Sequence, residues 1–347
     1  MPLVAQTTID RVMNVLLNGS HAMKRAVLRE TPINPPNGIA SMFTSDQLNN
    51  AALNFTKLKI TNVNDMICFL RLCAIERDQV GAMTFETKFP HELPLAANRV
   101  GWVPCWFLPW SSGRIIKLKI PDVATTPTIV FNPGVASLPN PDLFFTAGIN
   151  GCSVFSVGAA DTPSVYHGGI NPGALTMNLL PNETTEAAWR RLLGRLGTVK
   201  FVGSVGKTDY ISELNNPLGN DDTDRVMSGP YKSTQLAANL EATLQLNGAL
   251  NNVSVSPWGA VFGLREPATG NWTMTLVKNS TVTYRRVVQT VKKRVLRPDK
   301  VITTIAGEDR GLQINWPISN SYNLGFQDFF PGGGVATLRA LDTTQIF

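Results

Sequence analysis

GINGCSVFSVGAADTPSVYHGGINP, residues 148–172, is the stretch on which the reading of this chain turns. Ser153–Val157 has strand composition, Gly158–Asp161 is turn-forming, and Ser164–Tyr166 has strand composition again, which predicts a β-hairpin. Cys152 and His167 are fifteen positions apart, so a four-residue turn at 158–161 seats them opposite each other and pairs Val154 with Val165. The side chains at 152, 154, 165 and 167 then share one face, with opposed Cβ atoms about 4.5–5.5 Å apart. A slip of one residue would send the thiol and the imidazole to opposite faces.

Working outward, strand-type runs dominate. Leu58 and Ile60 alternate with Lys57 and Lys59, and Ile116–Ile120 alternates apolar with basic. Thr128–Phe131, Val199–Val202, Val253–Val255, Ala260–Leu264, Trp272–Val277, Thr281–Val288, Val301–Ile305 and Ala336–Leu341 are further strand expectations. Gly101–Trp110, GWVPCWFLPW, reads as a core strand with proline at its edges, or as a hydrophobic lip around a site. Residues 7–18 carry Ile9, Val12, Met13 and Leu16 at helical spacing, and Asn18-Gly19 ends that run. A capping box of Thr44 with Gln47, and Phe43 stapling onto Leu48, predicts a second helix from Thr44. Helices are also expected at 183–196 and at Thr234–Leu246. The organisation expected is an N-terminal helical segment, 1–40, before one β-rich domain, 41–347, of α+β class.

Composition agrees. Charged residues are 16% of the 347, while Gly (28) and Pro (23) are plentiful, as suits a loop-rich β protein. A net charge of +6 is modest for this length, so no nucleic-acid partner is expected. The basic run Arg285–Lys300 reads as a solvated strand pair, or as a contact for an acidic partner or an anionic membrane surface. Four cysteines make no disulfide framework, and Cys68 and Cys73 in ICFLRLC read as core residues. The three histidines show no zinc-type spacing, so neither metal nor cofactor is expected. The N-terminus lacks the pattern of a signal peptide, and no apolar run is long enough to span a membrane.

The residues around Cys152 suit nucleophilic chemistry. Gly148 and Gly151 free the backbone for a tight approach to the strand, and amide N–H groups exposed by such a turn, near Asn150, Gly151 and Ser153, can receive an oxyanion. A histidine partner is expected to lower the thiol pKa and supply the thiolate. The plain alternative is a small core cysteine beside an ordinary hydrogen-bonded histidine.

GINGCSVF and PSVYHGG, with Gly151, Cys152 and His167 at this spacing, resemble the active-site hairpin of the cytotoxic necrotizing factor and dermonecrotic toxin catalytic domains, and of the smaller Burkholderia lethal factor. The likeness covers about 25 residues of 347. It implies a β-sandwich of mixed sheets flanked by helices and long loops. It also implies a bacterial effector, secreted or injected, that deamidates a glutamine of a host protein such as a Rho-family GTPase in the host cytosol. A monomer is expected. That family has serine before its Gly-Cys pair, where this chain has Asn150. The histidine there is oriented by a main-chain carbonyl; the corresponding search region here is Thr128–Val135, with Asn132 as the side-chain candidate.

Two other classes stay open: a non-catalytic β-sandwich module, and a cysteine protease or transglutaminase using the same pair. Gly203-Ser204-Val205-Gly206-Lys207-Thr208 mimics a phosphate-binding loop, but Phe201 stands where its first glycine belongs, and the segment reads as a loop with no helix evident after it.

Overall fold

The computed structural model describes residues 6–36, 46–50, 55–59, 66–74, 82–110, 115–169, 201–206, 209–210, 250–292, 298, 300–305, 318–332 and 337–338. Its strands are β1 (Asp46–Asn50), β2 (Phe55–Lys59), β3 (Ile67–Ala74), β4 (Met83–Lys88), β5 (Val103–Leu108) and β6 (Ile115–Lys119). Then come β7 (Thr128–Ile129), β8 (Leu138–Pro139), β9 (Leu143–Thr146), β10 (Ser153–Val157), β11 (Ser164–Gly168) and β12 (Phe201–Val205). Last are β13 (Leu250–Arg265), β14 (Trp272–Lys292), β15 (Lys300–Ile305), β16 (Ile318–Phe330) and β17 (Thr337–Leu338).

These form two large sheets and a small β7–β8 pair. One sheet runs β1-β2-β6-β11-β10-β12; the other runs β17-β16-β14-β13-β9-β5-β3-β4, with β15 pairing the far part of β14. Both are mixed, because β2–β6 and β5–β9 are parallel. Ile116, Leu118, Val154, Val165 and Val205 from the first sheet meet Trp106, Leu108, Phe144, Val261, Met274, Leu276 and Phe329 from the second in one buried layer. The protein is thus an α+β, strand-rich sandwich. The larger sheet is covered again on its other side by two helices, α1 (Gln6–Asn18) and α2 (His21–Glu30). Strands buried on both faces need apolar side chains at consecutive positions, which is what ICFLRLCA, VPCWFL and LFFT supply. Cys68 and Cys105 lie directly opposite each other there as free thiols, Sγ atoms 3.6 Å apart.

Helix α1 is as its spacing predicts, with Ile9, Val12, Met13 and Leu16 buried. Helix α2 is an addition. Ser20 caps it by accepting from the Met23 N–H, and Arg25 and Arg29 both bind the Asp328 carboxylate on β16. Burial alone would raise the Asp328 pKa, but the Thr275 hydroxyl and the two guanidiniums outweigh it and hold the carboxyl below its usual range. The N-terminal segment therefore packs on the outer face of the larger sheet and shares a second apolar layer with it. No helix among the described residues is long and apolar enough to cross a membrane.

Other expectations need correction. The helix predicted from Thr44 is replaced by β1, whose five residues pair with β2. A capping box is a local signal, and here the pairing partner a few residues on decides the backbone. Val253–Val255 with Ala260–Leu264 form one continuous strand, as do Trp272–Val277 with Thr281–Val288, because β13 and β14 pair with each other through Pro257–Gly259 and Lys278–Ser280. Within the basic run, residues 287–292 of β14 pair with β15, which begins at Lys300; residues 293–297 and 299, and the side chains of 285–297, 299 and 300, lie outside the described residues. The helices predicted at 183–196 and Thr234–Leu246 also lie outside them.

The edge of the smaller sheet crosses the larger one where β12 passes β16. A Cβ on Gly203 would stand 1.9 Å from the carbonyl oxygen of Phe329, a backbone atom that no rotamer change moves. Gly203→Ala is expected to cost about 3 kcal/mol, at the upper end of overpacking changes. Urea denaturation of the two proteins measures it, and equal midpoints would refute the close approach.

Candidate functional site

The hairpin forms with the limbs expected, but its register differs. Val154, not Cys152, lies opposite His167, and Ser156 opposes Val165. The turn is longer because Gly158 takes a φ of 95° and Pro163, lacking an N–H, stays outside the ladder, where its carbonyl accepts from Ile120. The shift is of two residues, so face parity survives. Cys152 sits one residue before β10, diagonal to His167, a relation that in a regular sheet stretches the separation to about 7–8 Å.

His167 is on the inner face of β11 and has no solvent exposure. Its Nδ1 is 2.8 Å from the hydroxyl of Thr146, at the end of β9 in the opposite sheet. That hydroxyl donates its one proton to the Ala147 carbonyl at 2.8 Å, so it must accept from His167. Hydrogen-bond accounting thus assigns the proton to Nδ1 and leaves Nε2 as a lone pair; Nε2 is buried and has no partner among the described residues. Burial pushes the imidazole pKa down to about 3.

Cys152 is half-buried and packs against the inter-sheet core. Burial raises its thiol pKa, and this outweighs the Trp110 indole N–H and the Asn150 backbone N–H, which favour the thiolate. The indole N–H is buried and makes no hydrogen bond of normal geometry. The expected lowering of the thiol pKa by histidine is therefore not found in the resting protein: neither imidazole nitrogen bonds the sulfur, and the pair is a neutral thiol beside a neutral imidazole.

The supporting residues are redistributed. Gly151 has a φ of 96°, but its N–H is taken by the Tyr210 hydroxyl at 2.5 Å and is not free for an oxyanion. The Cys152 N–H has no backbone partner among the described residues. Asn150 is exposed, with its amide toward the sulfur. Ser153 is buried, its Oγ beside Gly206 and so away from the inner face of β10. Asn132 is exposed in a turn of its own, and Thr146 takes the orienting place instead.

Three residues escaped sequence reasoning. Thr146 left a trace, as the polar residue closing the apolar run Leu143–Phe145. Trp110 belongs to the aromatic stretch whose lesser reading was a lip beside a site. Tyr210 had no local signal. The phosphate-loop mimic is corrected too: Phe201–Val205 is strand β12, paired with β10, and Asp209 and Tyr210 are helical. The Gly206 N–H, which a phosphate would need, is bound by the Asp209 carboxylate at 2.7 Å. Among the described residues no group of three His, Cys, Asp or Glu side chains could hold a metal ion.

Comparison with known protein families and with curated proteins finds no match to this chain.

The buried imidazole couples stability to pH. The unfolded histidine takes a proton below about 6.5, whereas the folded one resists until about 3, so stability falls as pH drops through that window. The full effect is on the order of 5 kcal/mol. His167→Asn, which keeps a donor near Thr146, should lose less stability than wild type between neutral pH and pH ~4 in urea denaturation. Parallel losses would show that His167 is not buried neutral.

Proposed function

We propose that this protein is a cysteine-dependent glutamine deamidase, a bacterial effector that is secreted or injected and modifies a host protein such as a small GTPase in the host cytosol. The observation that carries the reading is the pairing of an oriented histidine with a thiol of the same face: His167 is held by Nδ1 with Nε2 bare, and Cys152 stands diagonal to it. A bare Nε2 is what a general base requires.

The chemistry follows. A rotation of Cys152 brings its thiol to Nε2, since contacts loose in the free protein tighten around substrate. The sulfur attacks the side-chain carbonyl carbon of glutamine, its proton passes to Nε2, and the carbonyl electron pair moves to oxygen, received by the Cys152 N–H. The intermediate collapses, His167 returns the proton to the leaving nitrogen, and ammonia departs to leave a thioester. Water activated by the same nitrogen then hydrolyses it to glutamate; an amine in place of water would make the reaction a transglutamination. The depth of His167 favours a side-chain carboxamide over a main-chain amide, because a slender chain end can enter where a flanked peptide cannot. Against this stands the raised thiol pKa, which favours the reading as a non-catalytic binding module.

Mass spectrometry of host-lysate proteins treated with wild type or Cys152→Ser decides between them. A Gln-to-Glu shift with wild type alone is expected; no shift and no cleavage would leave the binding module. The pH profile is a second check. With the imidazole neutral above about 3 and the thiol raised, kcat/KM should be flat from about pH 5 to 8. An inflection near 6.5 would mean that His167 titrates normally.

A further inference from the structure

Tyr210 is 1% exposed, and its hydroxyl makes two bonds to the elbow that carries the nucleophile. It accepts from the Gly151 N–H at 2.5 Å and donates to the Cys152 carbonyl at 3.2 Å. These groups belong to the peptide units on either side of the Gly151–Cys152 peptide. With both flanks pinned, the middle unit can move only by flipping its own plane, which would carry Cys152 toward the left-handed region that side chains disfavour. Gly151, at a φ of 96°, has no side chain to resist such a flip by itself.

The clip is itself braced. Strand β12 pairs with β10, Val205 opposite Val154, and so ends beside the start of the nucleophile strand. Gly206 and Asp209 then bond reciprocally, Gly206 N–H to the Asp209 carboxylate at 2.7 Å and Asp209 N–H to the Gly206 carbonyl at 2.9 Å, and this turn aims Tyr210 at the elbow.

We infer that Tyr210 is a positioning residue, which holds the Gly151–Cys152 peptide so that the Cys152 N–H faces the oxyanion formed on the acylating carbonyl. This rests on the nucleophilic role proposed for Cys152. Burial keeps the phenol protonated well beyond its ordinary range, so the proton it gives the Cys152 carbonyl is retained at working pH.

The test compares two reagents on wild type and Tyr210→Phe, a change that keeps the buried ring. With p-nitrophenyl acetate the S–C bond forms, the carbonyl pair moves to oxygen, and p-nitrophenolate leaves as the thioester forms, taking up the thiol proton. Iodoacetamide alkylates the same sulfur by displacing iodide, with no oxyanion. Tyr210→Phe should slow acylation by about tenfold or more, the scale of a weakened oxyanion donor, while alkylation stays within about twofold. Rates that fall together, or acylation that does not change, would overturn the inference. So would a wild-type Cys152 acylated no faster than a free thiol. A wild type that is acylated but releases no ammonia from any protein glutamine would sink the deamidase reading and leave the role of Tyr210 intact.

Discussion

The hydrogen bond from His167 Nδ1 to Thr146 crosses the apolar layer between the sheets, and the candidate site is organised by it. Its partners come from β11 in one sheet and β9 in the other, so imidazole orientation and sheet packing are one variable. An unpaired N–H at this depth would cost about 1–3 kcal/mol, enough to matter against total stability. The Thr146 hydroxyl meets that demand and passes its own proton to Ala147. With both polar groups satisfied, Nε2 is left as a buried lone pair without a partner among the described residues.

The same dryness has opposite effects on rest and reaction. It keeps the imidazole uncharged and the thiol protonated, so the pair is quiet. In the reaction proposed for the site, each charge that develops as a polar substrate group enters would meet fixed donors with little water to screen them. The Trp110 indole and the Asn150 backbone amide are the groups placed to meet a negative charge on the sulfur.

Much of the smaller sheet was legible, since the alternation in Ile116–Ile120, which falls on β6, and the limbs of the hairpin are local patterns. The pairing of Cys152 with His167 was read two residues out of register, yet on the correct face, because an even shift preserves parity. The length of the turn depends on Gly158 and Pro163 together with the anchoring of the tip, where Trp272 donates to Ala160, and composition does not encode that. Helix α2 gave no apolar stripe, with Leu28 its one fully buried residue; its hold on the sheet is ionic and its partner is remote. Thr146 and Tyr210 are likewise defined by contacts 21 and 59 residues away, so their roles appear only when the chain is folded.

The clasp of Arg25 and Arg29 on Asp328 joins residues about 300 positions apart. On a ribosome making about 5–20 residues per second, the helix would wait tens of seconds for its carboxylate. Through that wait α2 lacks β13 and β16, and its inner face, with Leu28, stays uncovered, whereas α1, whose Met13 sulfur accepts from the Leu72 N–H, already has β3 to pack on. Several strand pairings are non-local, β9 with β13 and β2 with β6 among them, which slows folding and lengthens that exposure. For such a chain the last strands are the ones that close the fold, so any partner that holds the chain open during synthesis has its best purchase at the N-terminal helices.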